Sequence, residues 1–184
     1  MPNGISTPSA TTELTMGVNL DSGAAVGDTY DTTLSVYDSL GNSVELNFNF
    51  TNTGAGTWEW YVAPSVGAAT PAAAAPAAMT FDANGVLTVP AANPTIAVTG
   101  LDGNDLAITW TLLDTLGASD GSVTGYAGTS VKTSQTQDGY PSGMLQGVSV
   151  DEDGIFTALY SNGTMSPFAQ IAVADFASYA GLAK

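Results

Sequence analysis

The chemistry open to this chain is that of carboxylates. It has 17 Asp and Glu, no His, no Cys, and two cations, Lys132 and Lys184. Asp151-Glu152-Asp153-Gly154 places three carboxylates in four residues, and Ca²⁺ takes oxygen ligands of this kind. An EF-hand loop, however, needs a Glu at its twelfth position, where counting from Asp151 gives Asn162. A solvated β-turn, with Asp accepting local backbone hydrogen bonds, fits the spacing better. Asp82, Asp102, Asp105 and Asp114 are candidates for the paired carboxylates of glycoside hydrolysis. Each lies beside a turn residue, and no spacing singles out a pair. Lys132 sits in a polar stretch without an apolar pocket to depress its pKa. Trp58, Trp60, Tyr61 and Trp110 could stack on a sugar. Trp58 and Trp60 share one face of a strand, though, which is what a sheet core requires. No catalytic, cofactor-binding or metal site is expected.

Composition removes further classes. Without His or Cys there is no Ser-His-Asp triad and no imidazole or thiolate zinc site. The net charge of -15 opposes binding to nucleic acid or to an anionic membrane surface. Charged residues are only 10% of the chain, against about 25% in a typical soluble domain. The acidity therefore reflects missing cations. Length and 44% hydrophobic residues allow one or two domains with a real core. No apolar run reaches the roughly 18 residues of a spanning helix. Met1-Pro2-Asn3-Gly4-Ile5 lacks the basic and apolar regions of a cleaved signal peptide.

The elements that must position these residues are strands. Leu14, Met16, Val18 and Leu20 alternate with polar or small residues, as do Val44 to Phe50, Trp58 to Val62 and Leu106 to Leu112. This period of two gives strands with one buried and one wet face. Gly- and Asn-containing turns at 38–42 and 53–56 predict an antiparallel meander from about Thr32 to Val62. Ala63 to Ala78 reads as an exposed, Pro-stiffened loop, because Pro71 and Pro76 break its helix-favouring Ala run. Ser119 to Gln137 reads as a polar connector between two modules. Beyond it, Leu145–Val150, Ile155–Tyr160 and a return strand over Gln170–Phe176 form a compact β-meander. No internal repeat is evident.

The second module carries a series of motifs. Asp138-Gly139-Tyr140-Pro141-Ser142-Gly143-Met144-Leu145 precedes a turn ending in Asp153-Gly154. Tyr160-Ser161-Asn162-Gly163 and the Gln170 to Phe176 strand follow. Upstream lie Val36-Tyr37-Asp38-Ser39-Leu40-Gly41-Asn42 and Phe81-Asp82-Ala83-Asn84-Gly85-Val86-Leu87. In this order, over roughly residues 12 to 182, the chain resembles the bacterial flagellar hook protein family.

The resemblance implies an all-β chain: an antiparallel barrel- or sandwich-like outer domain at 12–133, then a small meander of an inner β domain at 134–184, after a disordered or tag-like 1–11. It implies a structural subunit of a flexible tube joining rod to filament, located in the extracellular flagellum and exported without a cleaved signal peptide. Its partners would be identical subunits and the rod and hook–filament junction proteins. The family's terminal helices and the first inner-domain strands have no counterpart here, so the chain reads as a fragment, monomeric or weakly associating. The alternatives are another axial protein of the rod or hook cap, and a secreted carbohydrate-binding module.

Overall fold

A computed structural model describes residues 4–102 and 104–172. The chain divides into two compact units, one spanning Pro8–Pro141 and the other made of residues 1–7 with 142–184. The larger unit is thus inserted into the smaller. Strand β1 (Ile5–Ser6) belongs to the smaller unit.

The larger unit holds two sheets. In the first, β3 (Thr29–Tyr37), β4 (Ser43–Gly54), β5 (Thr57–Pro64), β7 (Ala77–Phe81) and β8 (Leu87–Val89) lie in that order, all antiparallel. The meander expected over 32–62 is β3-β4-β5. Its strands alternate because Leu34, Val36, Leu46, Phe48, Phe50, Trp60 and Val62 all face inward. The second sheet is built on β2 (Glu13–Asn19). It has the order β11 (Val123–Thr124), β2, β10 (Leu106–Trp110), β9 (Thr95–Thr99) and β6 (Ala68–Thr70), with β12 (Val131–Gln137) along β2.

The inward faces meet in an aromatic core. Trp110 stands edge-on to Trp60, with ring centroids 4.9 Å apart, and to Phe48 at 5.3 Å. Such edge-to-face pairs contribute about 0.5–1.5 kcal/mol each beyond their burial. The indole N–H groups of Trp60 and Trp110 are buried without a hydrogen-bond partner, so packing alone holds this cluster.

Several expectations need correction. The larger unit is not wholly antiparallel, because β10 and β11 both run parallel to β2. A period of two fixes which face is buried and carries no information on strand direction. The tract 63–78 is not simply a loop. Ala68–Thr70 pairs with β9, Ala69 is buried, and the Val62 N–H donates to the Pro71 carbonyl. The stretch 119–137 is not a connector, since β11 and β12 both pair with β2. Six of the seven β12 residues are polar, so the backbone ladder rather than apolar burial fixes this strand. The first compact boundary falls at Thr7/Pro8, and Ile5 and Ser6 pair with residues 144 and 143, so residues 4–11 are built into the fold. The second falls at Pro141/Ser142 rather than 133/134.

In the smaller unit, β1, β13 (Gly143–Val150), β14 (Ile155–Tyr160) and β15 (Met165–Gln170) form one antiparallel sheet in that order. The return strand therefore starts five residues earlier than Gln170, directly after the turn at 161–164. Phe176 lies outside the described residues.

Candidate functional site: the turns and the crossing

The motif residues gather at turns and at the place where the chain enters and leaves the larger unit. Asp38 accepts hydrogen bonds at one oxygen from the N–H groups of Leu40 (2.9 Å) and Asn42 (2.8 Å), and at the other from Asn42 Nδ2 (2.8 Å). The Gly41 N–H returns to the Asp38 carbonyl at 3.0 Å. Gly41 has φ 84°, where a side chain is strained. Tyr37 closes β3 just before this turn.

The same bonding recurs three times along the chain. Asp82 takes the N–H groups of Asn84 (2.8 Å) and Val86 (2.9 Å), with Gly85 in the glycine position. Asp114 takes those of Leu116 (2.8 Å) and Ala118 (3.0 Å), with Gly117. Asp151 takes those of Asp153 (3.1 Å) and Ile155 (2.8 Å), with Gly154. Four Asp-x-x-Gly turns thus repeat one hydrogen-bond pattern, with the side chain completing what the backbone leaves unpaired. Composition alone shows no repeat, although the shared Asp-x-x-Gly spacing is its signal. Asp114, expected only as a candidate acid, is one of these turn residues. Tyr160-Ser161-Asn162-Gly163 has the same backbone closure, with the Gly163 N–H on the Tyr160 carbonyl at 2.9 Å. There Asn162 Oδ1 serves as the acceptor, taking the N–H and hydroxyl of Thr164.

This use of the carboxylates bears on the chemistry considered first. Asp82, Asp114 and Asp151 are committed to backbone N–H groups. Asp105 likewise takes those of Gly100 and Leu101. Among the described residues no three His, Cys, Asp or Glu side chains are placed to hold a metal ion. Trp58, Trp60 and Trp110 are at most 2% exposed and offer no stacking platform.

Asp138, Gly139 and Tyr140 form the crossing within the larger unit. The Asp138 carboxylate takes the Thr12 N–H (2.8 Å), the Thr12 hydroxyl (2.6 Å) and the Glu13 N–H (3.0 Å). Ser9 and Tyr140 exchange backbone hydrogen bonds in both directions, at 2.9 and 3.0 Å. Gly139 lies against Thr11: an added Cβ would come within 2.7 Å of its nitrogen. Thr11 is buried, and its hydroxyl donates to Gln137 Oε1. Sequence reading missed Thr11, Thr12 and Gln137, because their partners lie more than 120 residues away. In the smaller unit, Ser6 Oγ accepts from Gly143 N and Asn162 Nδ2. Leu145 pairs with Tyr160, and Gln170 Nε2 donates to the Asp153 carbonyl.

Three carboxyls are held below their ordinary value of 3.8. Burial alone would raise Asp38, but the Asn42 side chain and the backbone N–H groups of Asn42, Leu40 and Gly41 outweigh it. For Asp138 burial is again opposed by Glu13 and Thr12. For Asp82 the Val86 N–H is the foremost cause.

Fold and site together define an all-β protein in which one β unit is inserted into another and the distinctive residues build turns and joints. The chain belongs to the family of the flagellar basal body protein FlaE D2 domain, whose family model matches residues 7–140. It is 37% identical to the flagellar hook protein FlgE of Rhizobium meliloti, over 91% of this chain and 40% of that protein. It is 30% identical to the flagellar hook protein FlgE of Escherichia coli, over 100% of this chain and 47% of that protein. The chain thus spans less than half the length of these relatives. In fold it is similar to the crystal structure of the Helicobacter pylori flagellar hook protein FlgE2. The TM-score is 0.53 at 20% identity, covering 85% of this chain and 34% of that one.

Proposed function

We propose that this chain is part of a structural subunit of the bacterial flagellar hook, with the larger unit as its outer domain and the smaller unit as part of its inner β domain. The observation that supports this most is the coincidence of the matched span, 7–140, with the inserted unit, Pro8–Pro141. A rod protein lacks such an insertion, which favours the hook over that reading. The subunit acts by packing and has no catalytic step. Its partners are further copies of the subunit in a helical tube, together with rod and hook–filament junction proteins. It is located in the extracellular flagellum.

The outward face of β3, β4 and β5 suits contacts that must slide as the tube bends. It presents Asp31, Thr33, Asn47, Asn49 and Tyr61, with no Lys or Arg to fix an ion pair. Large apolar interfaces behave as permanent joints, whereas small polar ones exchange readily.

A chimaera tests the reading. This chain replaces the matched segment of the E. coli hook protein in a strain lacking its own. Expected are hooks of normal appearance and restored swimming. Export of the chimaera without incorporation into hooks would refute the proposal.

A further inference from the structure

The wall of the larger unit is closed on one side by backbone. Val86 bridges Thr124, and the Gly125 N–H donates to the Gly85 carbonyl at 2.9 Å. On the other side, β3 and β12 are the outer strands of their sheets, and no ladder is formed between them. Two isolated pins cross there instead, one at each end. Lys132 Nζ, on β12, donates to the Thr33 carbonyl of β3 at 2.7 Å and to Gln135 Oε1 at 2.6 Å. At the far end Thr11 takes both backbone groups of Tyr37, its N–H donating to the carbonyl and its hydroxyl accepting from the N–H. Between the two pins lies a groove of about 420 Å³.

Alternation in an antiparallel pair sends the N–H and C=O of every second residue to the same edge. Tyr37 and the Thr33 carbonyl point to this edge, so Ser35 points its N–H and C=O into the groove. The aim of Lys132 is also built in. The β2–β12 register shifts between Lys132 and Ser134, and such bulges re-aim neighbouring side chains. Gly17, opposite the bulge, makes room for it: an added Cβ would lie 2.5 Å from the hydroxyls of Thr133 and Ser134.

We propose that the β3–β12 seam is a conformational device, an unladdered joint pinned by the Lys132 ammonium, along which the two sheets part without breaking a backbone ladder. The chain's only cation besides Lys184 is spent on this joint, on two neutral acceptors. The inference stands independently of a role in the hook.

Site-resolved amide exchange on the 184-residue chain tests it. Lys132→Met keeps the aliphatic stem and removes the donor. It should speed exchange by about tenfold at the Thr11 and Tyr37 amides, whose hydrogen bonds cross the seam, while Phe48 and Phe50 in β4 change by less than about twofold. Lys132→Arg, which can reach the same acceptors, should restore the original rates. Unchanged exchange at Thr11 and Tyr37 in K132M would overturn the proposal. So would equal acceleration in every strand, which reports lost overall stability instead of an opened seam. Failure of K132M to fold, read from the emission of the buried Trp cluster, would also overturn it, because no sheet ladder uses this pin.

Discussion

Asp38 is the residue where turn chemistry and burial meet. It is 4% exposed and satisfies three N–H groups, the backbone ones of Leu40 and Asn42 and the side-chain amide of Asn42. Leaving buried donors unpaired costs about 1–3 kcal/mol. Asp38→Ala should therefore lower the unfolding free energy by about 2 kcal/mol, read from urea midpoints. Acid should act in the same direction. Asp38, Asp82 and Asp138 are all depressed below 3.8, so their stabilisation is fully present above the unfolded value. It is lost as pH falls through the lower folded values. Urea midpoints should thus decline below about pH 4, and Asp38→Asn should flatten that decline. An identical acid limb in both proteins would contradict the assignment. Gly139 gives a steric test: Gly139→Ala should cost about 1–3 kcal/mol by overpacking against Thr11, whereas Gly147→Ala, which meets nothing within 4 Å, should be tolerated far better. The Asp-x-x-Gly turns were only half legible. Asp, Asn and Gly announce a turn and the Asp-x-x-Gly spacing recurs in the sequence, but the carboxylate's bonds to the N–H groups two and four residues on are seen only in the structure.

Among the elements, those with an apolar face were legible and those held by ladders alone were not. β2, β4, β5 and β10 carry alternating side chains that burial requires, and the structure places them as the alternation predicts. β12 exposes most of its length and offers no such pattern. β6 is hidden in an Ala- and Pro-rich tract whose composition says loop, yet Ala is small enough to sit buried beside β9. β10 meets β4 and β5 through Trp110, which stands edge-on to Phe48 and Trp60. Trp110→Ala should cost about 3–5 kcal/mol and shift the emission of the remaining core tryptophans to the red. A variant of native stability and spectrum would contradict the packing described.

For the molecule as a whole, the two units differ in how much core they own. The principal core belongs to the larger unit, with Trp60, Trp110, Phe48 and Phe50 all at most 1% exposed. In the smaller unit, only Ala158 and Tyr160 are buried hydrophobics among the described residues. Met144, Val148, Val150 and Met165 are at least half exposed. A small sheet with so little buried area is marginal. Limited proteolysis should therefore cut within 142–172 first and leave a resistant product over about 8–141, with the Trp emission of the intact chain. Simultaneous loss of both units would count against this ordering.

The all-β class, the inward faces of the main strands, the turn positions and the absence of His and Cys chemistry can all be read along the chain. Each is a local property, carried by side-chain type and a period of two. Tertiary structure decided the rest: parallel pairing on β2, the boundaries of the inserted unit, and Lys132 on Thr33 across a seam. These depend on contacts far apart in the chain, such as Thr12 with Asp138, which no local pattern encodes.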